Sequence, residues 1–479
     1  MPRNKVRLWC LQIPLPKVAP IIVAALPIPN DLDAEALLVL LDQVLDGLLA
    51  RKVKVTSYAA DGTEVERKLQ RLLKSKGIAK VYTIQNPRTG YTRKITFAVF
   101  HGQPIAFVQD SSHGLKTGRN NLFSGARLLM FGNHVALYHR IRQGAFEDGS
   151  PLYHRDVEKL DRQDDNAATR LHSAAWVKFM VTRHTDWIFE IIYTTVCGDM
   201  NDAWQSRSML HSERIKLVLR AAYFFDMWAT YLDRCGYKQT QYYVSREFAD
   251  IANILIDGLI SLIIIYRDYV DGVYPLLPWL HSTEPCEHVF GEARHQVKDF
   301  TMLDFYYMYP KLGIKLREAV LRGQSSDPKA RANGYCHKYF DTRGLDLLAL
   351  ATFPSDDEIR CMADEAEQEA ESLVKFLGVN PVQLLRPISS SSQTMLPSIS
   401  AWYDNPARNA DKNADADTED IDESIYGDNS DEDNDADELQ TLVQGEEDSL
   451  ESRTNKQDGQ LLALTCASLA VTAEDMIKV

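Results

Sequence analysis

Residues 109–121, QDSSHGLKTGRNN, are where the chain changes character. Upstream, short β-type runs alternate with amphipathic helices. KVRLWCLQI and PIIVAALPI read as two strands joined by a Pro-rich turn. DLDAEALLVLLDQVLDGLLA places Leu37, Leu38, Leu41, Val44, Leu45 and Leu48 on one helical face, with Asn30 or Asp31 as its cap. RKVKVTSYAAD reads as a strand with Val53 and Val55 alternating. EVERKLQRLLKSKG reads as a helix with Val65, Leu69, Leu72 and Leu73 on one face and Gly77 as its stop. Three further strands, IAKVYTI, RKITFAVF and PIAFVQD, end at Asp110, the first two joined by an NPRTG turn.

Downstream of Asp110 the pattern is helical and rich in Tyr, Trp and Phe. Helices are expected over LKTGRNNLFSGARLLM, AATRLHSAAWVKFMV, SERIKLVLRAAYFFDMWATYL and REFADIANILIDGLISLIIIYRDYV. A capping box, Ser355 with Glu358, opens another that runs to about Leu377, with Gly378 as its stop. RPISSSSQTMLPSIS reads as a linker, and an apolar helix is expected at about 460–478. The fold class is therefore an α/β N-terminal part, a large all-α region and a disordered acidic tail. The expected boundaries are 1–110, 111–275, 276–385 and 386–479.

Charge places the acidity in that tail. Residues 401–450 hold 18 Asp and Glu against Arg408 and Lys412, a net of −16, so the rest of the chain carries +2 of the total −14. Acidic pI therefore does not exclude nucleic acid as a partner of the folded part. The seven cysteines show no C-x2-C spacing, which points to reduced thiols and excludes a zinc finger. VAPIIVAALPIP is broken by prolines and GLISLIII falls short of the ~20 residues a span needs. No signal peptide and no membrane partner are expected, and the chain reads as soluble.

Three stretches hold residues suited to chemistry. In SYAADGTEVER, Asp61 ends a strand and Gly62 follows, so the carboxylate either projects off the sheet edge as a metal ligand or caps the next helix. In QDSSHGLKTGRNN, Asp110 ends a strand, and His113, Lys116 and Asn120 share a helical face. They either converge on a phosphate or base, or form the solvated first turn of a capped helix. Residues 281–294, HSTEPCEHVFGEAR, start a helix at Ser282 or Thr283, with Pro285 in the first turn and Glu284 and Glu287 on one face. The helix dipole accounts for Glu284. Glu287, beside Val289 and Phe290, needs either Arg294 as partner or a metal ion.

Taken together the three stretches resemble the P-element type of transposase, an RNase H-like family of the DDE class with many decayed copies in fungal genomes. The family's D-P-P-H-L-L-K-x-x-R-N segment is similar to Asp110-Ser-Ser-His113-Gly-Leu-Lys116-Thr-Gly-Arg119-Asn120. Its T-Q-D-x-x-E-x-x-F-G-x-x-R segment is similar to Thr283-Glu-Pro-Cys-Glu287-His-Val-Phe290-Gly291-Glu-Ala-Arg294. The resemblance spans roughly residues 5–320 and implies an incomplete RNase H-like mixed sheet interrupted by a helical insertion.

It also implies Asp61 and Glu287 as the second and third catalytic carboxylates, ligands of a two-ion Mg²⁺ site for DNA strand cleavage and transfer. Asp110, Lys116 and Glu284 become contacts to a guanine nucleotide such as GTP. DNA at transposon ends, assembly as a homo-oligomer and a nuclear location follow from the same resemblance. No acidic residue precedes Asp31, so the first strand with its aspartate, and a zinc-dependent DNA-binding domain, are expected to be missing. That leaves a truncated site with little or no activity. The rival reading is a non-catalytic scaffold of the same ancestry that binds DNA, nucleotide or protein.

Overall fold

Among the described residues the first two strands pair only with each other. β1 (Lys5–Leu11) and β2 (Ile21–Ile28) form an antiparallel hairpin with a bulge at Trp9 and Cys10. Side chains alternate across it. Trp9 faces α1 (Ala34–Ala50) and its Leu37, Leu41 and Leu45, while Leu8 and Cys10 face the opposite way. The resemblance implies that these strands belong to an RNase H-like sheet, but the hairpin is a separate two-stranded sheet. The structure is a computed structural model that describes residues 5–15, 18–29, 32–158, 161–270, 272, 274–322 and 344–385. The linker, acidic tail and terminal helix expected over 386–479 lie outside the described residues, as do Asn30 and Asp31. The side chain that caps α1 is Asp33, which accepts from the Ala36 N–H at 2.9 Å.

The main sheet is mixed and four-stranded, in the order β3-β6-β5-β4. β3 (Ser57–Ala60) runs parallel to β6 (Gln103–Gln109). β6, β5 (Thr92–Phe100) and β4 (Ile78–Gln85) are antiparallel. β3 is shorter than the expected 51–61. Val53 is held back by donating its N–H to Leu48 O at the end of α1, and the Val55 N–H goes to the Gln103 side chain at 3.1 Å.

α2 (Glu64–Lys76) also departs from expectation: Val65 is exposed, and Glu66, Arg67 and Gln70 are buried with Leu69 and Leu73. Polar partners rotate the helix. Arg7 of β1 pairs with Glu66, Arg67 reaches Asp250 at 2.9 Å, and Gln70 donates to Val108 O at 2.8 Å. Buried polar groups survive where such bonds replace water.

β6 is covered on both faces, which accounts for its unbroken apolar run. One cover is α11 (Arg246–Tyr269), which Arg93 of β5 clamps through Asp257 at 2.7 Å and Asn253 at 2.8 Å.

After β6 the chain is helical. α3 (Ser111–Phe123) ends earlier than the expected 115–130, and the short strands β7 (Met130–Phe131) and β8 (His134–Val135) follow. Next come α4 (Tyr138–Ala145), α5 (His154–Glu158), α6 (Asp165–Leu171) and α7 (Ala174–Arg183). The last two replace a single expected helix, because Ser173 restarts the chain as an N-cap on the Trp176 N–H. α8 (Ile188–Gln205) was not anticipated from the sequence. α9 (His211–Cys235), the short α10 (Gln239–Tyr242) and α11 (Arg246–Tyr269) complete the bundle.

The bundle core is aromatic. Trp228, whose Nε1 donates to Met130 O at 2.7 Å, packs with Phe131, Phe189, Phe224 and Tyr243. α11 is, among the described residues, long and apolar enough to cross a membrane, in contrast to the short run read from sequence. Most of its apolar stretch is buried inside the protein.

α12 (Glu284–Gln296) and α13 (Met302–Arg322) return to the hairpin. Val289, Ala293, Phe305, Leu312 and Leu316 pack on Leu8 and Ile22. α14 (Asp356–Phe376) opens on the expected Ser355–Glu358 capping box and packs along α9, and α15 (Pro381–Leu385) follows. Glu367 of α14 holds the β4–β5 turn through Asn86 and Thr89.

Candidate functional site

The three stretches singled out in the sequence meet at the C-terminal ends of β3 and β6. These strands are parallel neighbours, so Asp61 and Asp110 leave the sheet side by side, and Asp110 N–H donates to Ala60 O at 3.3 Å. Asp110 then caps α3 by accepting from the Ser112 N–H at 3.3 Å. Just before α12, His281 ties the chain to β3 and α11. Its Nδ1 lies 2.8 Å from Ser57 Oγ at the start of β3, and its Nε2 lies 3.4 Å from the Tyr266 hydroxyl of α11. Burial lowers the His281 pKa to about 4, so the ring is a neutral brace.

Asp61 is not a free carboxylate. His113 Nδ1 is 3.0 Å from its Oδ1, and the Gly62 N–H donates to the same atom at 2.7 Å. Burial pushes the Asp61 carboxyl up, but the His113 bond and charge outweigh it and hold the group below its usual range. The imidazole is raised in turn: burial lowers it and the Asp61 bond more than compensates. Gly62 is needed for this pairing. A Cβ there would lie 2.1 Å from His113 Cδ2, so the ring occupies the space a side chain would fill. Asp61 does not cap α2, whose N-cap is Thr63.

Lys116 is also engaged. Its ammonium sits 3.0 Å from Asp165, the first residue of α6, with the lysine side chain 16% and the aspartate 57% exposed. Asn120 donates weakly to Arg162 O at 3.4 Å. Arg119 is buried and holds the carbonyls of Asp156 and Asp161 at 2.9 and 2.8 Å. The face His113-Lys116-Asn120 therefore exists, but each member has a protein partner.

On α12, Thr283 is the N-cap without a side-chain cap bond, and Ser282 Oγ accepts from the Glu284 N–H at 3.3 Å. Thr283 Oγ1 lies 3.5 Å from Glu287 Oε1. The cation facing Glu287 is Lys116, not Arg294, which is exposed in the last turn of the helix. Glu287 is exposed as a residue, yet crowding around its carboxyl, then the charges of Asp110 and Asp165, raise it to about 7, against the pull of Lys116. Burial, then the charges of Asp110 and Glu287, raise Glu284 to about 8, with Arg207 opposing. Asp110 is raised as well, chiefly by burial. Five carboxylates, Asp61, Asp110, Asp165, Glu284 and Glu287, thus share one field around Lys116 and His113.

No protein-family model matches the chain, and no curated protein matches it. One solved structure is similar. It is a Drosophila P element transposase strand transfer complex, at 16% identity and a TM-score of 0.42, over 64% of this chain and 70% of that one.

Asp165, His113 as a partner for Asp61, and Arg207 were not picked out as site residues from the sequence. Asp165 reads as an ordinary acidic helix start beside the N-cap Asp164. A two-ion Mg²⁺ centre on Asp61 and Glu287 would have to displace the His113 imidazole from Asp61. Asp61 is taken by an imidazole, and an ammonium already supplies positive charge among the carboxylates. Among the described residues no three acidic, His or Cys side chains are placed to share one ion.

Proposed function

We propose that this chain is a transposase-derived protein whose carboxylate cluster descends from a DNA strand-cleavage and strand-transfer site, and that in this arrangement it binds without cutting. One observation carries the reading. Asp61, Lys116 and Glu287 come from three stretches spread over more than two hundred residues, and the charges of Asp61 and Lys116 both act on the Glu287 carboxyl. Chance similarity of three short motifs does not require them to meet. Catalytic silence is the consequence expected from the pairing of Asp61 with His113 and of Lys116 with Asp165.

The test is incubation of the purified chain with end-labelled linear and branched DNA in Mg²⁺ or Mn²⁺. The expected result is no cleavage above the protein-free control. Cleavage that disappears in Glu287→Gln would overturn the silent assignment and restore a working site.

Retained binding is the second part of the proposal, and it concerns a guanine nucleotide. Lys116 is the group suited to phosphate, and its present partner Asp165 is more than half exposed to solvent. Asp110 and Glu284 stand beside it as acceptors for the guanine edge. Calorimetry with GTP and GDP is expected to detect binding that weakens about tenfold or more in Lys116→Ala, the usual scale of a charged hydrogen bond. Equal heats for both proteins would remove the nucleotide from the proposal and leave DNA as the partner to test.

A further inference from the structure

Two cysteines distant in the chain, Cys10 and Cys286, pack into one small core, the second of them next to Glu287. Cys10 shares with Leu8 the β1 face that packs on α12 and α13. Cys286 sits in the first turn of α12, immediately before Glu287. Its Sγ is 3.9 Å from Leu8 O, the carbonyl two residues before Cys10 on the same strand. Both side chains line the same small core and both are half-buried, neither sealed from solvent nor fully open to it. The pairing of β1 with β2 and the packing of α12 on β1 are independent of any bond between the sulfurs, so the fold itself brings the two cysteines to one small core.

We propose that Cys10 and Cys286 are an oxidation-sensitive pair whose disulfide tethers the N-terminal hairpin to the helix that carries Glu287. The oxidant is a hydroperoxide, with hydrogen peroxide the simplest case. The sulfur of one cysteine, as thiolate, attacks a peroxide oxygen. The O–O bond breaks, a sulfenic acid forms, and the leaving hydroxide is protonated to water. The second cysteine, having lost its proton, attacks that sulfur. The S–S bond forms, the S–O bond breaks, and the hydroxyl leaves with a proton as a second water. Two thiols and one peroxide give one disulfide and two waters. The other described cysteines are not so placed: Cys197 is buried, Cys235 is exposed, and Cys361 is exposed with its thiol 3.6 Å from the Glu365 carboxylate.

The test uses the full reduced chain, treated with one equivalent of hydrogen peroxide at neutral pH, alkylated and mapped by mass spectrometry. The expected product is a Cys10–Cys286 linked peptide that dithiothreitol reverses. In Cys10→Ser the linked peptide vanishes and a dimedone-trapped sulfenic acid accumulates on Cys286. In Cys286→Ser the trap moves to Cys10. Circular dichroism keeps the folded state of each serine variant in view. The proposal is overturned if, in the natively folded wild type, Cys10 and Cys286 are both alkylated in full while Cys235 or Cys361 is oxidised. It is equally overturned if Cys10 or Cys286 links to a third cysteine at the same yield.

Discussion

Glu284→Gln is expected to stabilise the fold at pH 9 by on the order of 3 kcal/mol and to flatten its pH dependence. The Glu284 carboxyl titrates near 8 in the folded protein and near its ordinary 4.5 in the unfolded chain. Between those values the folded state keeps a proton that the unfolded state has already released. Stability therefore falls as pH rises from about 4.5 to about 8, and the full penalty is in place above that. Burial is the main cause, and the charges of Asp110 and Glu287 add to it. Glutamine keeps the shape and cannot ionise, so the loss disappears. The figure is below the full value of the shift because the side chain retains some contact with solvent. Urea unfolding at pH 5, 7 and 9 is the measurement. The two proteins should converge at pH 5 and diverge at pH 9. A residual slope is expected in the variant, since Glu287 near 7 titrates in the same window. Parallel curves would mean that Glu284 is solvated and that the cluster is not a shared field.

Gly258→Val is expected to cost about 3 kcal/mol or more, the upper end of what overpacking does. Gly258 lies where α11 crosses β6, and a Cβ there would come within 2.5 Å of Phe107 O. A backbone carbonyl in a central strand has no room to retreat. The helix must move away, loosening the Arg93–Asp257 and Arg67–Asp250 clamps that hold it to the sheet and to α2. Because β6 leads directly into Asp110, the same movement should disturb the site. Gly313 of α13 supplies the control, since a Cβ there meets nothing within 4 Å. Gly313→Ala should stabilise by roughly 0.5–1 kcal/mol through helix propensity and the unfolded chain. If denaturant midpoints show the two substitutions to be alike, α11 does not approach β6 as closely as described.

Much of the architecture follows from local signals. The alternation of β-type and helical runs up to Asp110, the long apolar helices over 212–232 and 246–270, and the Ser355–Glu358 box all formed where periodicity and capping placed them. These are short-range effects: a helical face or a cap is decided by residues three or four apart. Where prediction and structure part, a distant group has intervened. α2 turned its Val65 outward because Arg7, Asp250 and the Val108 carbonyl drew Glu66, Arg67 and Gln70 inward. The expected helix over 167–181 broke in two at a serine cap. Likewise, the hairpin of residues 5–28 stands apart from the main sheet, since Trp9 found α1 and Leu8 found α12 as packing partners.

The candidate site divides in the same way. Asp61, Asp110, Lys116, Glu284 and Glu287 were legible as residues of the right type at strand ends and helix starts, because those positions depend on local geometry. Their state was not legible. That Asp61 is held by His113, that Lys116 rests on Asp165, and that burial and the charge of Asp110 raise Glu284 and Glu287 all depend on groups far away in the chain. The sequence by itself determined the chemistry available to this protein and the elements that present it. Only the tertiary structure decided which charges neutralise one another. Electrostatic coupling and desolvation act through space across the β3 and β6 ends, while sequence patterns report only on neighbours along the chain.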